Sequence, residues 1–113
     1  MTSQHDFPTA GVELRHLLVV SDYARSLAFY RDVLGATVVR EFPGTLGFLS
    51  FGGSQILLTV PGGPTQDKPT VTFASPTDAD RVTSELVIQV PDCSTAYGAL
   101  RSRGVEYLTP PVD

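Results

Sequence analysis

Cysteine is almost missing: Cys93 stands alone among 113 residues, so no internal disulfide can form. No Cys/His cluster with zinc spacing exists either. Lysine is as scarce, present at Lys68 only, and there is no basic run. With 8 Lys+Arg against 12 Asp+Glu, a net charge of −4 and a pI near 4.9, the electrostatic footprint of a nucleic-acid binder is missing. The same acidic balance disfavours attachment to anionic membranes. No apolar run approaches the roughly eighteen residues of a membrane-crossing helix. The opening Met1–Thr9 is polar and lacks the apolar stretch of a signal peptide. A soluble, cytoplasmic protein is expected. What is present, 42% hydrophobic and 18% charged residues, suits one globular domain over 1–113 and excludes outright disorder.

Leu14–Val20 is a short aliphatic run bounded by Ser21-Asp22, which predicts a buried strand followed by a capped helix start. Tyr23, Leu27, Tyr30 and Leu34 then fall on one helical face, and Gly35 can end the helix in the left-handed conformation. Thr37–Phe42, Leu46–Phe51 and Gln55–Val60 read as strands, joined by Pro43-Gly44-Thr45 and by Gly52-Gly53, a pair suited to a tight hairpin. Residues 14–60 therefore read β-α-β-β-β. The stretch 61–83 is rich in Pro and Gly and reads as a crossing linker, with a short strand possible at Thr70–Ala74.

The opening pattern then returns over 84–113. Glu85–Val90 is apolar, Pro91-Asp92 opens a helix with Cys93, Ala96, Tyr97 and Leu100 on one face, Gly104 ends it, and Val105–Leu108 begins another strand. "VVSDYARSLAFYRDVLGATV" and "IQVPDCSTAYGALRSRGVEY" align at an offset of 70 with one deletion, an internal β-α-β repeat. Both helices are expected to cover the outer sheet faces and to bury Leu27, Tyr30, Leu34, Tyr97 and Leu100.

The segment "LRHLLVVSDYARSLAFYRDVLGATVV", three short strands and a second β-α-β copy together resemble the vicinal oxygen chelate superfamily: glyoxalase I, fosfomycin-resistance proteins, extradiol dioxygenases and bleomycin-resistance proteins. The resemblance runs from about Leu14 to the chain end, and "SLAFYRDVLG" is its most specific part. It implies an α+β fold of paired βαβββ modules cupping a pocket, usually in a homodimer. The second module is incomplete here, since two further strands would be needed after Val105–Leu108. A ferredoxin-like sandwich is the alternative arrangement of two β-α-β units.

The resemblance also implies metal-ligand slots early on the first strand and on the last strand of each module. The first-module last-strand slot falls on Leu57, which has no ligand atom, and the second-module first-strand slot falls on Glu85. His16 is the natural first-strand ligand, yet counting from the capping Asp22 the slot lands one residue earlier, on Arg15. Side chains alternate along a strand, so this single residue decides which of the two enters the cup. A bulge would restore His16; otherwise Arg15 would face Glu85 as an ion pair. In the bland alternatives His16 sits under the helix, Glu85 is solvated, and Cys93 packs on its helix face.

The expected pocket is lined by His16, Gln55, Leu57, Thr59 and Glu85, with Arg15 competing for the first-strand slot. Arg15, Gln55, Leu57 and Thr59 would contact substrate. His16 and Glu85 would hold a divalent zinc, nickel, manganese or iron if any metal binds, with Glu85 moving the proton. Leu57 in a ligand slot and the offset of His16 favour a metal-free protein that binds a small molecule. The alternative is a metal-dependent isomerase, lyase or dioxygenase acting on vicinal oxygens.

Overall fold

Asp22 sets where strand gives way to helix. Its carboxylate accepts the Arg25 backbone N–H at 3.1 Å while its own backbone stays extended, which satisfies a donor the first helical turn would leave orphaned. The computed structural model describes residues 10–111; the polar arm Met1–Thr9 and the last two residues lie outside them. The described elements are β1 (Arg15–Val19), α1 (Tyr23–Ala28) continuing into a π-helical turn (Phe29–Val33), β2 (Thr37–Phe42), β3 (Leu46–Phe51), β4 (Ser54–Thr59) and α2 (Cys93–Ser102).

The first helix differs from the continuous α-helix expected. Leu34 N–H reaches back to the Phe29 carbonyl at 3.1 Å, and Ala36 N–H to Tyr30 at 2.8 Å. This widened turn takes later positions out of step with the Tyr23–Leu27 stripe, so Tyr30 and Leu34 end half-buried rather than buried. Gly35, at φ 84°, ends the element as expected.

The four strands form one mixed sheet in the order β1-β4-β3-β2, with β1 parallel to β4 and the other pairs antiparallel. Gly52 and Gly53, at φ 58° and 81°, close the β3–β4 hairpin. Tyr23, Leu27 and Ala36 pack against Leu49, Ile56 and Leu58 to make the core under α1. The fold is α+β, with a complete βαβββ module and no contribution of 85–90 to its sheet, which excludes the ferredoxin-like alternative.

The Tyr23 hydroxyl donates to Glu41 Oε2 at 2.9 Å at the edge of this core, where Glu41 reaches solvent. Burial, then the hydrogen bond and charge of Glu41, push its pKa up to about 12 from 10.0. The folded state thus favours the neutral phenol, and the resulting stabilisation is complete below pH 10 and lost as pH rises through 12. Denaturant titrations of the wild type and Tyr23→Phe should show the wild-type advantage shrinking across that window. A difference that stays constant with pH would contradict the assignment.

The second half departs further from expectation. Among the described residues Glu85–Val90 and Val105–Leu108 form no strand, and Thr70–Ala74 reduces to Phe73 bridged to Gly62. A strand exists only where a ladder partner satisfies its backbone, and 85–90 has none among the described residues. α2 forms as expected, with Asp92 accepting the Thr95 N–H at 3.2 Å and Gly104 at φ 90°. Its Tyr97 and Leu100 are half-buried rather than buried, because no sheet lies beneath them. No described residue from 61 onward is buried. The radius of gyration, 17.2 Å, exceeds the roughly 13 Å of a compact chain this long accordingly. Among the described residues one hydrogen bond ties the halves: Arg103 Nη1 donates to the Val33 carbonyl at 2.7 Å.

Candidate functional site

Paired residues share a sheet face, so the register assigns each side chain a side. His16, Leu18, Ile56, Leu58, Leu49, Val38 and Glu41 belong to the face covered by α1. The opposite face is open and carries three rows across β1, β4, β3 and β2. These are Arg15–Gln55–Ser50–Thr37, then Leu17–Leu57–Phe48–Arg40, then Val19–Thr59–Leu46–Phe42. One row is polar and headed by a guanidinium; the next two are mostly apolar.

The choice between Arg15 and His16 is decided by pairing. β1 runs against β4 residue for residue from Arg15↔Gln55 to Val19↔Thr59, with no bulge. Arg15 therefore takes the open face with Gln55, Leu57 and Thr59, and His16 takes the helix face opposite Ile56. There His16, Tyr30 and the start of β4, residues 54–56, line a cavity of about 430 Å³ closed on one side by Leu86–Gln89.

Arg15 is held in place by polar partners on both sides. Its Nε donates to Gln55 Oε1, and its Nη2 to Glu13 Oε2 at 2.8 Å. Glu13, not Glu85, is thus its carboxylate partner, and the expected Arg15–Glu85 pair does not form. Glu85 is exposed in the unpaired 85–90 segment, and neither the open face nor the cavity includes it. Leu57, Gln55 and Thr59 are half-buried, with Thr59 Oγ1 turned to the Val60 carbonyl at 3.3 Å. Cys93 is exposed rather than packed on its helix face.

Arg40 is the residue that sequence reasoning missed. Simple alternation along β2 places it with Val38, toward the helix. A bulge at Val39 shifts the register so that Arg40 pairs with Phe48 on the open face, its guanidinium 4.9 Å from the Phe42 ring centroid. No residue in "TVVREF" marks that bulge.

A family model for the glyoxalase/bleomycin resistance protein/dioxygenase superfamily matches residues 13–113. The chain belongs to this superfamily. Solved superfamily-type folds agree with the match. A glyoxalase/bleomycin resistance protein/dioxygenase from Nocardioides superposes with TM-score 0.62 at 25% identity, over 90% of this chain and 68% of the other. An integron cassette protein from the mobile metagenome of V. cholerae gives TM-score 0.60 at 25% identity, over 89% and 73%. A lactoylglutathione lyase from Agrobacterium tumefaciens shares the fold at 22% identity and TM-score 0.50, over 85% and 68%. No curated protein matches the chain.

Of the positions on which the resemblance puts metal-ligand slots, Arg15 and Leu57 lie on this open face. A guanidinium occupies the first-strand position and an aliphatic side chain the last-strand position, and neither offers a lone pair to a cation. His16 lies across the sheet from both. Among the described residues no three His, Cys, Asp or Glu side chains come together in a way that could hold a metal. No described helix is long and apolar enough to cross a membrane.

Proposed function

We propose that this chain is a cytoplasmic small-molecule binding protein that holds an amphiphilic anion on the open sheet face without a metal. The observation that carries the reading is Arg15 in the first-strand position, oriented by Gln55 and next to an apolar row. A guanidinium presents charge and directed N–H donors to a carboxylate, the role a metal would otherwise take toward ligand oxygens. Leu17, Leu57 and Phe48 offer the apolar body of the ligand a surface to cover. Glu13 is a solvent-exposed partner, and exchanging such a surface ion pair for a ligand carboxylate costs about 1 kcal/mol or less. In this reading a homodimer completes the site, since Leu17 and Phe42 stay 38% and 44% exposed on that face.

Calorimetric titration with naphthalene-2-carboxylate tests it. Arg15→Gln should weaken binding about ten-fold or more, the loss of a charge-assisted hydrogen bond, and added salt should weaken the wild type. Elemental analysis of the same samples should find metal far below one ion per chain, and light scattering the mass of two chains. Near-stoichiometric zinc, nickel, manganese or iron that disappears in Glu85→Gln would instead establish the metal-dependent enzyme, with His16 and Glu85 as its ligands.

A further inference from the structure

The helix side of the sheet carries a concave surface of its own. There the widened turn of α1, the start of β1 and the segment 86–89 border the half-open cavity of about 430 Å³. That volume lies within the roughly 300–1,000 Å³ of ordinary small-molecule sites. Leu34, Phe51 and Ile56 supply part of its apolar lining, and His16, Tyr30, Ser54, Gln55 and Gln89 its polar side chains. No Asp, Glu, Lys or Arg lines it. An ionised ligand would find no Asp, Glu, Lys or Arg side chain opposite it there, whereas a neutral ring with one hydroxyl matches apolar walls interrupted by polar groups.

We propose that this cavity is a second, separate site for a neutral aromatic alcohol of one or two rings, with Tyr30 and His16 bonding its hydroxyl. Burial raises the Tyr30 pKa, so its phenol keeps its proton and remains a donor at neutral pH. His16 and Arg15 are neighbours in sequence but lie on opposite sides of the sheet, and Gln55, which lines the cavity and accepts from Arg15 Nε, is the one residue the two sites share. The inference is independent of the proposed function, because it uses neither Arg15 nor an anion.

The test is a calorimetric titration of the full chain with 2-naphthol, followed by amide chemical shifts. One equivalent should bind, shifting the amides of 30–34 and 86–89. Tyr30→Phe keeps the ring and the packing, and should weaken 2-naphthol about five-fold, the value of one neutral hydrogen bond. His16→Leu, at an exposed rim position, should weaken it similarly. Arg15→Gln should leave 2-naphthol binding unchanged, and Tyr30→Phe should leave naphthalene-2-carboxylate binding unchanged. The proposal is overturned if 2-naphthol fails to bind at millimolar concentration or binds equally well to Tyr30→Phe and His16→Leu. It is also overturned if affinity for 2-naphthol falls in Arg15→Gln, which would place the ring on the open face.

Discussion

Leu58→Ala is expected to lower unfolding free energy by about 3 kcal/mol, the middle of the range for a leucine truncated in a well-packed interior. Leu58 is fully buried, at 0% exposure, one residue from the end of β4. β4 is the one strand flanked by both β1 and β3, and α1 packs across it. A void there cannot collapse easily, because the ladder holds the backbone on both sides. The buried apolar residues all lie between Tyr23 and Leu58, so the second half offers no reserve of packing. For a domain of marginal stability that loss is a large fraction of the total. Urea denaturation measures it, and Leu100→Ala on half-buried α2 serves as the contrast, with a much smaller effect expected. A loss below about 1 kcal/mol for Leu58→Ala would mean that the core lies elsewhere.

Gly47→Ala is expected to cost about 2 kcal/mol through overpacking rather than through backbone strain. Gly47 has no positive φ; its role is to let Tyr23 approach. A Cβ there would stand 2.5 Å from the Tyr23 hydroxyl and 3.4 Å from Leu49 Cδ1. The phenol cannot simply swing away, because its hydroxyl is bonded to Glu41 at 2.9 Å. A double-mutant cycle makes the mechanism testable: in a Tyr23→Phe background the clashing oxygen is gone, and Gly47→Ala should cost far less. Equal costs in the two backgrounds would rule out the contact as the cause.

Much of the first module could be read from residue order. The strand–helix boundary at Asp22, the left-handed stop at Gly35 and the Gly52-Gly53 hairpin are local features whose physics needs only a few neighbouring residues. The apolar runs of β3 and β4 likewise announce buried strands. Less was legible where local pattern needs a distant partner. Glu85–Val90 has the composition of a strand but no ladder, and Tyr97 and Leu100 have the spacing of a packed stripe but no sheet beneath them. Of the candidate site, Gln55, Leu57 and Thr59 were recognisable together by alternation along one strand.

Residue order alone established the α+β module, its element sequence and the narrow contest between Arg15 and His16 for one position. It could not resolve that contest, since alternation says only that adjacent side chains point oppositely and not which of them faces the helix. Pairing with β4 resolved it, by aligning His16 with Ile56 on the helix side of the sheet, at an exposed rim, and leaving Arg15 with Gln55 on the open face. The bulge at Val39 that turned Arg40 toward that face, and the cavity between α1 and Leu86–Gln89, likewise arise only when distant segments meet. Facing and enclosure are relations between strands, so they come into being with the assembled sheet.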